Sequence, residues 1–283
     1  LIPPRFKIAS YVKNYFEQQE NSLFSVHSIF KNAVNYSDGD YLLSITNSTI
    51  PISPTSIIVD EPHFYENLYN HAKSGIKMNL NYPILQIKDS QISISDAEVI
   101  NTRLESLSLP SYNRVEMFAN EVYKQCQTSK GIIQLFHKYE GNNTVLKKIG
   151  EIIASLRESI IRDNPVNFEL YLDKLLGLGS GLTPSGDDFI YGYYAALRTY
   201  DIRPEYSKRI EHVIDEGRNK TGDISLSFLK TLRLGHIYLP LKQLFQSLSV
   251  DNNIVRPITT LINYGSTSGC DMLAGVLFAF ESN

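Results

Sequence analysis

The chain has 283 residues, a formal net charge of −3 and an apolar share of 42%, which suits one large soluble domain or two ordinary ones. No block of lysine or arginine stands out, which argues against nucleic acid as the main partner. No apolar run is long enough to span a bilayer, and the start has no signal-peptide core, so the cytoplasm is the expected compartment and a membrane partner is not expected. The two cysteines, Cys126 and Cys270, lie far apart and lack CxxC spacing, which speaks against a disulfide framework and a structural zinc site.

In chain order, residues 5–19 read as a short lead-in helix or strand. From Asn21 to about Glu98 the texture is β: apolar runs at Leu23 to Phe30, Tyr41 to Ile45, Ser56 to Val59, Ile84 to Ile87 and Gln91 to Ile94 are separated by Gly, Pro and Asp turn signals, including Lys88-Asp89-Ser90. The last two runs form a hairpin pattern, and Pro62 to Lys73 reads as one intervening helix. Short strands at this spacing predict a small barrel or sandwich. His27 and Ser28 are sequence neighbours on a strand and so are expected to face opposite ways, which excludes them as a dyad. His63 and His71 lack metal-ligand spacing, and His212 and His236 sit in no motif.

A boundary falls near Leu107 to Ser111, and beyond it the texture is helical. The reading is therefore α+β: a β-rich barrel or sandwich-like domain over residues 1–110, then a mostly α-helical domain over 111–283. Helices are predicted at Arg114 to Thr128, at Gly131 to Tyr139, and from an Asn143 or Thr144 cap to Arg162 along the stripe Leu146, Ile149, Ile153, Leu156 and Ile160. Pro165 opens another at the favoured first-turn position. Further helices are predicted at Glu205 to Asn219, Ser225 to Leu234, Tyr238 to Leu248 and Ile254 to Asn263, with Lys220 and Thr221 in a loop that could face an anion.

The helical half is organised around Gly177-Leu178-Gly179-Ser180-Gly181-Leu182-Thr183-Pro184-Ser185-Gly186-Asp187-Asp188, followed by the apolar run Phe189 to Arg198. A glycine-rich loop feeding a helix N-terminus presents free N–H groups, a common way to hold an anion. The stretch has an echo: Ser185, Gly186, Asp188, Gly192 and Ala196 recur without gaps as Ser268, Gly269, Asp271, Gly275 and Ala279. Asp, Gly and Ala at intervals of four share one helix face, and the small residues admit a close neighbour. The two helices are therefore expected to pack on each other or on equivalent partners, with both aspartates near one site. The plainer reading takes Ser185 with Asp188, and Ser268 with Asp271, as capping boxes. Cys270 reads as core packing, although a thiolate would be favoured at a helix N-terminus.

The run Gly-Leu-Thr-Pro-Ser-Gly-Asp-Asp, the helix glycine Gly192 and the later Thr-Ser-Gly-x-Asp-x-x-x-Gly resemble a bacterial domain-of-unknown-function family that includes the H subunit (AllH) of the oxamate carbamoyltransferase of anaerobic allantoin breakdown. The resemblance is sharpest at residues 177–198 and 265–279. It implies a subunit of a multi-protein enzyme, partnered by other subunits of the complex, that interconverts oxalurate plus phosphate with oxamate plus carbamoyl phosphate. The Ser-Thr-Arg-Thr phosphate motif of ornithine- and aspartate-type carbamoyltransferases is absent.

That chemistry needs an anion cradle and donors for a tetrahedral oxyanion. Gly179, Gly181, Thr183, Ser185, Gly186, Asp187, Ser268 and Gly269 are the candidate anion- and substrate-binding residues, and Ser185, Asp188 and Asp271 the candidate catalytic ones. The aspartates would repel an anion, so they must cap, bind a cation or act as general base. The residues fix no cofactor; Mg²⁺ and phosphate are the candidates. Two other functions fit the same residues: a scaffolding subunit whose glycines serve only helix packing, and a stand-alone enzyme or sensor for a small carboxylate.

Overall fold

The computed structural model describes residues 6–18, 22–88, 90–136, 141–250 and 252–282. The chain divides at Arg103 and Leu104 into two compact units, with the short segment Gly235–Leu239 joining the first.

The first unit opens with β1 (Phe6–Ala9) and α1 (Ser10–Glu17), so the lead-in segment holds both a strand and a helix. It continues through β2 (Ser22–Phe30), β3 (Ala33–Ser37), β4 (Leu42–Asn47), β5 (Ser56–Val59), α2 (Pro62–Lys73), β6 (Met78–Asn81), β7 (Ile84–Ile87), β8 (Ser90–Ser93) and β9 (Glu98–Ile100). The nine strands form one mixed sheet in the order β8-β7-β6-β2-β3-β4-β5-β1-β9, curled into a half-barrel. Most neighbours are antiparallel; β4 with β5 and β1 with β9 are parallel. In β4, Leu42 to Thr46 are all buried, as expected of a strand covered on both faces.

The hairpin of β7 and β8 pairs Ile84 with Ser93 and Ile87 with Ser90, although Asp89 of its turn lies outside the described residues. Helix α2 has the predicted bounds for local reasons. Pro62 sits in its first turn, and the Glu61 carboxylate accepts from the N–H of His63 at 3.0 Å and of Phe64 at 2.5 Å. Tyr65, Leu68 and Ala72 form its buried stripe.

Three strands go beyond the sequence pattern. Strand β3 carries Asn35 and Ser37 among its apolar residues, β6 reads Met-Asn-Leu-Asn, and β9 has three residues. Pairing with neighbours, rather than intrinsic β preference, holds such segments in the sheet. The opposite-face argument for His27 and Ser28 also fails. A register shift between Val26 and Ser28 breaks the alternation, and His27 Nδ1 lies 3.1 Å from Ser28 Oγ on the exposed part of β2.

The second unit is helical: α3 (Tyr112–Gln125), a 3₁₀ segment (Ile132–Phe136), α4 (Thr144–Ile161), α5 (Pro165–Leu175), α6 (Ser185–Tyr200), α7 (Pro204–Glu216), α8 (Asp223–Arg233), α9 (Leu239–Ser249), α10 (Val255–Ile262) and α11 (Ser268–Glu281). The predicted helix from Gly131 to Tyr139 is this shorter 3₁₀ segment, and residues 137–140 lie outside the described set. At the start of α4, Asn143 accepts from the N–H groups of Val145 and Leu146 at 3.0 and 3.1 Å, and the predicted apolar stripe is buried.

Helices α6 and α11 form the centre of this unit. From Gly186 to Leu197, and from Gly269 to Ala279, every residue is buried. A helix apolar on all sides belongs inside a bundle. The two cross in contact through their glycines. A Cβ at Gly192 would overlap the Met272 carbonyl oxygen, and one at Gly275 would overlap the carbonyl of Phe189 and the amide of Tyr193. Above this crossing the Phe278 ring packs on Phe189 and Tyr193, with centroids 5.4 and 5.1 Å apart. The predicted packing of the two related helices on each other is thus realised.

Candidate functional site

The two copies of the Ser-Gly-x-Asp motif are built alike. Each glycine takes the close approach of the chain that precedes its helix: a Cβ at Gly186 would overlap the Leu175 carbonyl at the end of α5, and one at Gly269 the Leu261 carbonyl in α10. Each also donates its N–H backwards, Gly186 to the Leu178 carbonyl at 2.9 Å and Gly269 to that of Tyr264 at 3.2 Å. The glycines therefore position the first turn of each helix, and these two N–H groups are already satisfied within the protein.

The capping-box reading is corrected by one residue. Pro184 and Thr267 occupy the N-cap positions, neither cap side chain accepts from the N–H groups of its helix, and Ser185 and Ser268 are the first residues inside their helices. Their hydroxyls turn instead to the neighbouring motif. The Ser268 hydroxyl faces the carboxyl of Asp188 and the Ser185 hydroxyl that of Asp271, and each acts to hold its carboxyl's pKa down. Thr183 Oγ1 lies 3.0 Å from Ser268 Oγ and also serves Asp188. Each helix start is thus completed by a hydroxyl from the other copy.

Asp188 is 3% exposed and Asp271 0%. Burial pushes the Asp188 carboxyl well above the usual carboxylate range; hydrogen bonds from Ser268 and Thr183 oppose this, and the charges of Asp271 and Asp187 add to it. Burial also pushes Asp271 up, to about 6, against hydrogen bonds from Ser185, the Ile132 amide and Thr267. The Ile132 N–H donates to Asp271 Oδ1 at 2.5 Å. Gly131 is needed just before it, with a φ of +97° and no room for a Cβ against the same carboxylate. The Oδ2 atoms of Asp188 and Asp271 are buried without a partner among the described residues. Two unpartnered buried carboxyl oxygens at one place are costly unless a proton or a ligand group meets them.

Asp187 has a different role from its neighbour. It accepts from the Gly177 N–H at 2.6 Å, from Ser225 Oγ at 2.6 Å and from Thr221 Oγ1, tying the glycine loop to the start of α8. Burial raises its pKa, and these three donors oppose the rise. Thr221, legible in the sequence only as a loop hydroxyl, thus meets this carboxylate. Between the tied ends, Gly179, Ser180, Gly181 and Leu182 are exposed, while Thr183, Ser185 and Ser268 are half-buried beneath them.

The structure therefore brings Thr183, Ser185, Asp188, Ser268 and Asp271 together. Gly186 and Gly269 act as packing glycines, Asp187 faces α8, and Gly179 and Gly181 form the exposed rim. Gly131, Ile132 and Ser225 join the constellation without any sequence signal beyond being a glycine, an apolar residue and a serine. Among the described residues no group of three or more His, Cys, Asp or Glu side chains could hold a metal ion. A cavity of about 510 Å³ opens elsewhere in this unit, between Gln243, Gln246 and Arg256, and no motif residue lines it. No helix among the described residues is long and apolar enough to cross a membrane.

Residues 175–280 match the family model described as oxamate carbamoyltransferase subunit AllH, a span that contains both motifs. Residues 6–99 match the AllH family N-terminal domain, which corresponds to the curled sheet. No solved structure matches the chain. Matched over both its sheet and its motif-bearing helices, the chain belongs to the AllH family of oxamate carbamoyltransferase subunits.

Proposed function

We propose that the joined N-termini of α6 and α11 form a small-anion site in an oxamate carbamoyltransferase complex, where this chain and its partner subunits act on oxalurate, phosphate, oxamate and carbamoyl phosphate. The observation that carries the reading is the exchange of hydroxyls between the motifs, over two buried carboxyls whose Oδ2 atoms lack partners.

In the forward direction a phosphate oxygen attacks the carbamoyl carbon of oxalurate, and a tetrahedral oxyanion forms. The C–N bond to the oxamate nitrogen then breaks, and that nitrogen needs a proton as it leaves. Ser185, Thr183 and Ser268 supply hydroxyl donors for the anions, with main-chain donors from the exposed loop around Gly179 and Gly181. Asp188, whose carboxyl burial pushes well above the usual range, is suited to give the proton to nitrogen and to take it back in reverse. A protonated Asp188 also removes the charge that would repel an anion.

A thermal-shift series on the purified chain tests the site, using phosphate, carbamoyl phosphate, oxamate, oxalurate and ADP, each with and without Mg²⁺. The reading predicts stabilisation by at least one of the substrates, lost in both Ser185→Ala and Ser268→Ala. The absence of any shift, in the chain alone and in its complex, would sink it.

A scaffolding role is favoured by one specific observation, the use of Gly186, Gly192, Gly269 and Gly275 in close backbone packing. On that reading the serine variants lose only the worth of a hydrogen bond, about 1 kcal/mol, and ligand response is nil throughout. Turnover by the isolated chain would instead favour a stand-alone enzyme.

A further inference from the structure

Cys126 and Cys270 stand 144 positions apart in the chain, yet their Sγ atoms lie 3.9 Å apart in the helical unit. Both are free and buried. Cys126 ends α3, and Cys270 is the third residue of α11, directly before Asp271. We infer that Cys126 and Cys270 form a reversible thiol–disulfide site that responds to peroxide and acts on the Asp271 carboxyl beside it.

The local wiring carries the argument. The segment from Cys126 to Ile132 wraps the first turn of α11 and touches it repeatedly. Cys126 meets Cys270, the Ser129 N–H donates to the Cys126 carbonyl at 3.0 Å, Gly131 packs on the Asp271 carboxylate, and the Ile132 N–H donates to it. A disulfide needs the sulfurs at about 2.05 Å, so closing the bond moves one or both by about 2 Å in all. That motion falls on the residue next to Asp271 and on the segment whose amide holds Asp271.

The two thiols are also unequal in the way such chemistry requires. Cys270 stands in the first turn of α11 and Cys126 at the C-terminal end of α3, so the two helix ends favour a thiolate on Cys270 over one on Cys126, while burial and the Asp271 carboxyl oppose ionisation of Cys270. The first turn of α11 supplies the partial positive charge that supports a thiolate at Cys270. The Cys270 thiolate attacks a peroxide oxygen, the O–O bond breaks, and Cys270 becomes a sulfenic acid as hydroxide leaves. The Cys126 sulfur then attacks the Cys270 sulfur, the S–O bond breaks, and a second hydroxide leaves. The protons of the two thiols convert both hydroxides to water, so two thiols and one hydrogen peroxide give one disulfide and two waters. Hydrogen peroxide is small enough to reach buried sulfur during local opening.

The test uses the full chain under native conditions. Hydrogen peroxide is added in steps, and each sample is alkylated, digested without reductant and mapped by mass. The expected result is a Cys126–Cys270 cross-linked peptide, loss of both thiols together, and full return with dithiothreitol. In Cys126→Ser, dimedone should then label Cys270 as a trapped sulfenic acid. Independent oxidation of the two thiols to sulfinic acids, or no oxidation before the chain unfolds, overturns the site. Hydrogen exchange at the Ile132 amide reads the coupling to Asp271. A changed rate in the oxidised chain supports it, and an unchanged rate shows that the disulfide does not reach the carboxyl.

Discussion

Gly192 of α6 lies directly against the Met272 carbonyl of α11, and Gly275 of α11 returns the contact at Phe189 of α6. The crossing is backbone on backbone at both points, so an added methyl group cannot be absorbed by a side chain turning away. Gly192→Ala and Gly275→Ala should each destabilise the chain by about 1–3 kcal/mol or more, even though alanine is the better helix former. Urea unfolding would measure this. A gain in stability for either variant would mean that the helices are further apart than described.

Much of this arrangement was legible in the sequence because it rests on local pattern. Equal spacing of Asp188, Gly192 and Ala196, and of Asp271, Gly275 and Ala279, fixes a small-residue face on each helix, and such faces meet. What was not legible depends on the chain's return from a distance. Ile132 reaches Asp271 across 139 positions and Cys126 reaches Cys270 across 144, with no periodicity to announce either. The serines illustrate the limit from the other side. Ser-x-x-Asp predicts a local capping box, yet Pro184 and Thr267 take the cap positions, and the freed hydroxyls find the other helix. Strands β3, β6 and β9 were missed for the same reason, since sheet pairing rather than their own composition holds them.

The buried carboxyls should make stability fall as pH rises. Asp271 has its folded pKa raised to about 6 from an ordinary value of 3.8, so between those limits the folded chain keeps a proton that the unfolded chain has lost. Its contribution is complete below about pH 4 and is lost as pH passes through about 6. Asp188, raised by burial as well, extends the loss to higher pH. Asp271→Asn keeps an acceptor for the Ile132 N–H and removes the titration. It should therefore flatten this part of the curve and stabilise the chain at pH 7 by on the order of 1–3 kcal/mol. Unfolding of both proteins at matched pH values between 4 and 8 gives the difference directly; a parallel pair of curves contradicts the assignment.

Asp187 predicts a different phenotype from Asp188. Its three donors come from Gly177, Thr221 and Ser225, and its work is to tether the glycine loop. Ser225→Ala should cost about 1.5–3 kcal/mol, the range for a hydrogen bond to a charged group, and should speed amide exchange across residues 177–183. The first turn of α11 should keep its protection, because none of Asp187's three donors comes from it. Equal loss of protection in α11 would mean that the tether and the paired motifs are one cooperative element.

The exchange of hydroxyls between the two motifs can be separated from local capping by double-mutant cycles. If Ser185 serves Asp271, then Ser185→Ala and Asp271→Asn remove the same bond, and their combined cost falls short of the sum by roughly 0.5–3 kcal/mol. The cycle of Ser185→Ala with Asp188→Asn should show the smaller coupling, although those residues are nearer in sequence. Ser268 gives the mirror experiment: its larger coupling should be with Asp188 and its smaller with Asp271. Running both cycles guards against indirect effects of charge, because Asp188 and Asp271 also repel each other and either aspartate variant relieves that repulsion. Charge relief acts on both serines alike, whereas crossed hydrogen bonds reverse the order of coupling between Ser185 and Ser268. An unreversed order, or stronger coupling within each motif, would return both serines to ordinary local contacts and leave the joined helix starts without their shared site.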